Sequence, residues 1–208
     1  MSSYMTVKKR VIAYVDGFNL YFGLLDAGLS RYKWLDINQL VLSILKDNQE
    51  LVELKYFTSR VSNDPDKTHR QNIYIEALET KGIKIYYGHY QRGTVNCNHC
   101  GCNWQTYNEK MTDVNIATQL LIDAHQDKFD VAMLISGDSD LVPPIKAIHK
   151  LFENKRVFVA FPPKRTNTSI SINAKGNLTI GKNKIKRSQF PNEITKGNGY
   201  VLKKPPEW

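Results

Sequence analysis

At 208 residues and 23.9 kDa, with 41% hydrophobic residues, the chain is long enough for one domain with its own core and a short extension. Lys and Arg outnumber Asp and Glu by 29 to 20, a net charge of +9, and this balance points to a polyanionic partner, nucleic acid first. No apolar run approaches the ~18 residues of a membrane span, MSSYMTVKKR shows no secretion-signal core, and three cysteines crowded into residues 97–102 make a poor disulfide framework, so the expected compartment is the cytoplasm.

Apolar β-branched runs alternate with runs of helical period. Val11 to Val15 is predicted as a buried strand, followed by a helix from Leu20 to Ala27. Asp36 is placed as the cap of a helix over 37–46. A second strand is expected over 51–58, and Asp64-Pro65 opens a long helix that stops at Lys81-Gly82. The third strand is expected over 83–90. A polar insertion follows at 91–108, after which Thr112 caps a helix over 113–127 with Val114, Ile116, Leu120 and Ala124 inward. A strand over 131–135 leads into a helix reaching Phe152, whose start the pair Pro143-Pro144 moves toward Val142. A strand over 157–161 follows. Beyond about residue 163 the periodicity fades, leaving a short strand near 178–180 and a basic arm with seven Lys or Arg against two Glu over 181–208. Such alternation implies a mostly parallel sheet with helices on both faces. Ligands of such sheets sit outside the carboxyl ends of the strands.

Two strand exits carry the chemistry. VIAYV runs into Asp16, Gly17 and Asn19, and VAMLIS runs into Gly137, Asp138 and Asp140. Carboxylates held close at a strand end are costly unless a positive charge sits between them. A single Asp before a helix is more often a cap than a ligand. Asp140 cannot share the capping role of Asp138, however, and Gly137 suggests a tight turn. With Asp113 at the start of its helix, the expectation is an acidic pocket for magnesium or manganese, which take hard oxygen ligands. Such an ion polarises a phosphoryl oxygen and activates a water. Arg60, Lys110, Lys164 and Arg165 follow strands or approach the site in sequence and are the candidate phosphate contacts.

The segments VIAYVDGFNLY, EKMTDVNIATQLLIDA and DVAMLISGDSDLVPPI resemble the NYN domain in its LabA-like branch of the PIN-like nucleases, over residues 8–163. The resemblance implies a Rossmann-like three-layer α/β/α fold and a metal-dependent ribonuclease. It also implies a catalytic set of Asp16, Asn19, Asp113, Asp138 and Asp140, the four aspartates holding the metal. Haloacid-dehalogenase-type phosphatases share the acidic run after a strand, but they need an aspartate two residues past the nucleophile, where this chain has Phe18.

The insertion GHYQRGTVNCNHCGCNW suggests a zinc knuckle. Cys97 and Cys100 have the two-residue spacer, Gly101 allows a tight turn, and Cys102 with His89 completes four ligands for a structural zinc. The expectation is therefore an endoribonuclease domain over 8–163 with a zinc-knuckle insertion, and a basic extension over 164–208 packing on it or trailing from it. RNA or another single strand is the expected partner, with a second copy of the chain as a further one and no membrane. The alternative is a nucleic-acid-binding regulatory module without turnover.

Overall fold

The computed structural model describes residues 7–61, 64–96 and 99–208. Its centre is a six-stranded parallel sheet in the order β3-β2-β1-β6-β7-β8. The strands are β1 (Lys9–Asp16), β2 (Gln49–Thr58), β3 (Lys84–Tyr87), β6 (Val131–Ile135), β7 (Arg156–Phe161) and β8 (Asn177–Thr179). The order runs outward from β1 in both directions, so the chain reverses its winding between β1 and β6. That reversal opens a crevice at the carboxyl ends of these two strands.

Side chains alternate across the sheet, as the two-residue strand period requires. Val11, Ala13 and Val15 of β1 point to one core, and Ile12 and Tyr14 point to the other. The first core is closed by α1 (Gly17–Asp26), α2 (Ile37–Leu42) and α3 (Pro65–Glu79). The second is closed by α4 (Thr112–His125), α5 (Val142–Leu151) and α6 (Thr168–Asn173). Asp36 and Asp64 cap α2 and α3 as their sequence positions suggest, accepting from the Gln39 and Lys67 amides at 3.0 Å. Gly82 follows α3 with φ +71, a left-handed stop that glycine adopts without strain. Among the described residues no helix is long and apolar enough to cross a membrane.

Three expectations need correction. Thr112 does not cap α4. It is the first helical residue, and the cap position belongs to Met111, which is left-handed at φ 75. Val114 is 61% exposed rather than inward. The insertion is a regular antiparallel ribbon, β4 (His89–Asn96) against β5 (Asn103–Lys110), paired from His89↔Lys110 to Asn96↔Asn103.

The segment after residue 163 is folded onto the domain. β8 adds the sixth strand beside β7. Beyond it, α7 (Lys182–Arg187) and the small antiparallel pair β9 (Glu193–Thr195) and β10 (Val201–Lys203) pack on the first core through Ile185, Phe190 and Leu202. The fully buried Trp34 indole donates to the Pro191 carbonyl at 2.7 Å. Lys196 pairs with Glu76 of α3 at 2.9 Å. Ile185 and Leu202 are buried while Lys182, Lys186, Arg187 and Lys203 of the same elements are exposed, so charge along the sequence does not mark a loose arm here.

Candidate active site

Two hydrogen bonds stitch the β1 exit to the β6 exit across the crevice, and three more order the two exits themselves. Asp16 ends β1 and caps α1, its Oδ1 accepting from the Asn19 amide at 3.0 Å. Its Oδ2 accepts from the Ser136 hydroxyl at 2.9 Å. The Asn19 side-chain oxygen accepts from the Gly137 amide at 3.0 Å. Ser136 Oγ accepts in turn from the Asp138 amide at 3.1 Å. Asp138 Oδ1 accepts from the Asp140 amide at 3.0 Å, opening the short 3-10 turn Ser139–Leu141 before α5. Asp16 and Ser136 are buried, whereas Asp138 is half-buried and Asp140 exposed. A buried carboxylate needs such donors, and the positive end of α1 helps hold its charge.

Gly137 is required for space. A Cβ there would stand 1.8 Å from the Arg165 carbonyl oxygen. Its φ is not in the left-handed region, so close backbone approach, and not turn geometry, excludes a side chain. The loop after β7 thereby presses against the acidic turn. Arg165 also anchors to Asp26 of α1 at 2.6 Å, and its buried Nε has no hydrogen-bond partner among the described residues. Beside it, Lys164 is exposed and held at φ 61. Lys164 and Met111 are left-handed non-glycine residues flanking the same sheet edge, a conformation with a strain cost that concentrates at functional sites.

Asp113 lies in the first turn of α4 and is partly exposed. The start of α4 is tied to the β2 exit, with Ser59 Oγ and Thr112 Oγ1 3.4 Å apart. Gly88 is wedged there too, where a Cβ would meet the Lys110 carbonyl and both hydroxyls within 2.7 Å. All four candidate aspartates therefore belong to the carboxyl edge. They are not drawn into one tight cluster: among the described residues no group of three or more His, Cys, Asp or Glu stands ready to hold a metal.

Of the candidate phosphate contacts, Arg60 is exposed with its guanidinium 4.7 Å from the Tyr87 ring centre. Lys110 is exposed at the base of the ribbon. The zinc set is not assembled as expected. His89 sits at the ribbon base, whereas Cys100 and Cys102 lie exposed around its far end, seven register steps away. That is more than roughly 20 Å of strand. Cys97 lies outside the described residues. Sequence reasoning also passed over Ser136, although it stands directly before the Gly-Asp-Ser-Asp run. A hydroxyl at a buried strand exit between two acidic segments was the available signal.

A family model described as NYN domain matches residues 10–180. The chain belongs to the NYN domain family. Its parallel sheet flanked by helices fits the PIN-like nuclease fold type, and the match reaches past β8, so the last strand of the sheet is part of the domain. Among curated proteins, this NYN chain is 26% identical over 197 residues to 6-hydroxy-3-succinoylpyridine 3-monooxygenase HspA of Pseudomonas putida. That alignment covers 77% of this chain and 62% of the relative, so the chain spans less than two thirds of that protein's length. A solved structure of a protein of unknown function from Vibrio parahaemolyticus RIMD 2210633 superposes with a TM-score of 0.61 at 24% identity. It covers 88% of this chain and 98% of its own, a likeness of fold.

Proposed function

We propose that this NYN protein is a divalent-metal-dependent endoribonuclease of the LabA-like branch. One observation carries the reading: the hydrogen-bonded stitch holds Asp16 at the switch point and leaves Asp138 and Asp140 facing outward on a basic molecule. The donor set fits magnesium or manganese. It consists of carboxylate, amide and hydroxyl oxygens, and such ions take hard oxygen ligands. Magnesium is commonly held by one or two carboxylates, with waters and substrate phosphates filling the rest. A closed cage of three acids is therefore not needed before substrate arrives.

In this reading Asp16, Asp138, Asp140 and Asp113 would hold the ion. When bound, it supplies Lewis acidity and a more acidic water. The chain's own groups do the positioning. Ser136 fixes the Asp16 carboxylate and the Asp138 amide together. Asn19 locks the Gly137 turn and orients the attacking water or the substrate. Lys164, Lys110 and Arg60 bind phosphates along the edge, while Arg165 keeps the neighbouring loop seated. Attack of water on phosphorus breaks the phosphodiester P–O bond, and the leaving oxygen takes up a proton.

The test is cleavage of a labelled single-stranded RNA with manganese, comparing the wild type with Asp138→Asn. Cleavage lost both in the variant and on chelation supports the reading. Equal cleavage by both proteins sinks it. RNA binding without turnover, insensitive to chelation, favours the binding module instead. A second reading rests on the identity shared with the Pseudomonas monooxygenase. Turnover of a hydroxypyridine, with RNA left intact, would favour that one.

A further inference from the structure

A cavity of about 420 Å³ opens beside the acidic stitch, between α1, β2 and α3. Its size lies within the range of small-ligand sites. Its walls combine flat rings with cations: Phe18, Tyr21, Tyr56 and Trp208 face it together with Lys33 and Arg70. Gly17, the residue after Asp16, forms part of the same wall. A side chain at 17 would meet the Tyr56 ring at 2.5 Å, so its absence lets that ring reach the acid edge.

The two cations are not spent in the same way. Arg70 pairs with the exposed Glu207 at 3.5 Å. Lys33 makes no ion pair among the described residues, and its ammonium stands 5.5 Å from the Trp208 ring centre and 5.9 Å from that of Tyr21. Burial, followed by the neighbouring Arg70, pulls the Lys33 ammonium below its usual pKa, and the attraction of Glu207 only partly offsets them. A positive group held half-buried between rings and near a second cation is relieved by an anion. At the mouth, Phe18 stacks on Phe22 at 6.2 Å, and Phe22 is 45% exposed. Exposed rings of this kind offer a face to a planar base.

We infer that this cavity seats one nucleotide of the single-stranded substrate, its base among Phe18, Tyr21 and Trp208 and its phosphate toward Lys33 and Arg70, with the strand passing on to Asp16. The inference rests on the nuclease reading for its source of nucleotide but not for its chemistry. The cavity supplies a seat for a ring and a place for an anion, and the acidic edge begins one residue away. Lys33 and Phe18 are then determinants of how tightly a nucleotide is held, and the position cleaved is set by its distance from a seated base.

The test is titration of the full chain carrying Asp138→Asn with the four ribonucleoside 5′-monophosphates, the matching nucleosides, pyridine-3-carboxylate and a short single-stranded RNA. Tryptophan fluorescence and calorimetry report binding. At least one monophosphate is expected to bind, with its nucleoside weaker by about tenfold and with the RNA displacing it. Lys33→Gln and Phe18→Leu, each added separately, should raise its Kd by about tenfold and fivefold. In the otherwise wild-type chain Lys33→Gln should raise KM for RNA and leave kcat in place. An unchanged urea midpoint confirms that each variant folds. Absence of monophosphate binding, a Kd that both substitutions leave alone, or binding of pyridine-3-carboxylate alone overturns the inference. RNA cleavage without nucleotide binding removes the cavity assignment and keeps the nuclease. Nucleotide binding with the expected losses, but no cleavage, keeps the cavity and removes the nuclease.

Discussion

The two ends of β1, β6 and β7 use charge in opposite ways. At the amino end Arg10 pairs with Asp130 at 2.8 Å and with Asp127 at 3.1 Å, and Lys155 reaches Asp127 at 2.5 Å. Backbone bonds from the Asp130 amide to the Arg10 carbonyl, and from the Arg156 amide to the Asp130 carbonyl, tie the same three strands. Under α4, the buried Asp123 takes Lys55 at 2.5 Å and the Tyr14 hydroxyl at 2.7 Å. At the carboxyl end the Asp138–Asp140 turn is held by neutral groups, the Ser136 hydroxyl and backbone amides. Asp138 and Asp140 form no ion pair among the described residues. Opposite charges placed together close a structure, whereas acids fixed by neutral donors keep their charge for something that arrives later. The same sheet is thus clamped at one end and left electrostatically open at the other.

The sharpest break of this comparison is expected from the clamped part. Asp123→Asn takes away the nearer of two acids on the Lys55 ammonium, which is 1% exposed and keeps Glu53 at 3.3 Å; removing the sole partner of a buried pair costs about 3–5 kcal/mol, so a loss of about 3 kcal/mol is expected here. Urea unfolding should show that loss, and the double change Lys55→Met with Asp123→Leu should recover much of it. A loss well under about 1 kcal/mol would mean that the pair is solvated. On the open end the pattern inverts. Asp138→Asn should lower RNA cleavage by about 100-fold or more, given that even an outer partner of a metal ligand costs 10–100-fold. Stability should stay within about 0.5 kcal/mol, as for surface substitutions. A stability loss as large as that of Asp123→Asn would make Asp138 structural and erase the contrast.

Gly137→Ala lies between the two. The added methyl collides with the Arg165 backbone, so the loop or the acidic turn must shift, at about 1–3 kcal/mol. Both the urea midpoint and cleavage should fall, and activity kept at full level would separate the turn from the site. Asp130→Asn at the amino end is milder. The pair it breaks is about one-third exposed on both sides, so the expected loss is about 1 kcal/mol, with cleavage unchanged.

How far these ends were legible in the sequence follows from how local their determinants are. Asp36 and Asp64 each act on an amide three residues away, and the β1 and β6 exits are written as continuous runs. The parallel order follows from strand–helix alternation with the same logic. The ribbon was not legible, because its strands lack apolar alternation and pair in register with each other rather than with the sheet. Thr112 has the chemistry of a cap, yet the left-handed turn at Met111 places it inside the helix. The order of residues 181–208 depends on contacts far along the chain, such as Trp34 with Pro191, to which a local reading is blind. The cavity failed to register for the same reason. Phe18, Lys33, Arg70 and Trp208 come from four separate segments, and each alone looks like an ordinary surface residue.

Acid should act on the clamp before any other contact at the amino end gives way, and its direction is set by the carboxylates. The Arg10 guanidinium holds the Asp130 carboxyl below its usual range by direct hydrogen bonding. For Asp123 burial pushes upward, but hydrogen bonds from Lys55 and Tyr14 outweigh it and the net displacement is downward. A carboxyl depressed in the folded state binds its proton more readily when unfolded, whose value is about 3.9. Its contribution is therefore complete above that value and is lost as pH falls from there through the folded one. Stability measured by urea should be flat in this contribution near neutrality and decline below about pH 4. Asp130→Asn should flatten part of that decline while lowering the plateau. Equal acid slopes for Asp130→Asn and the wild type would mean that the Arg10 network forms equally in the unfolded chain, and that the amino end owes its stability to the apolar core beneath it.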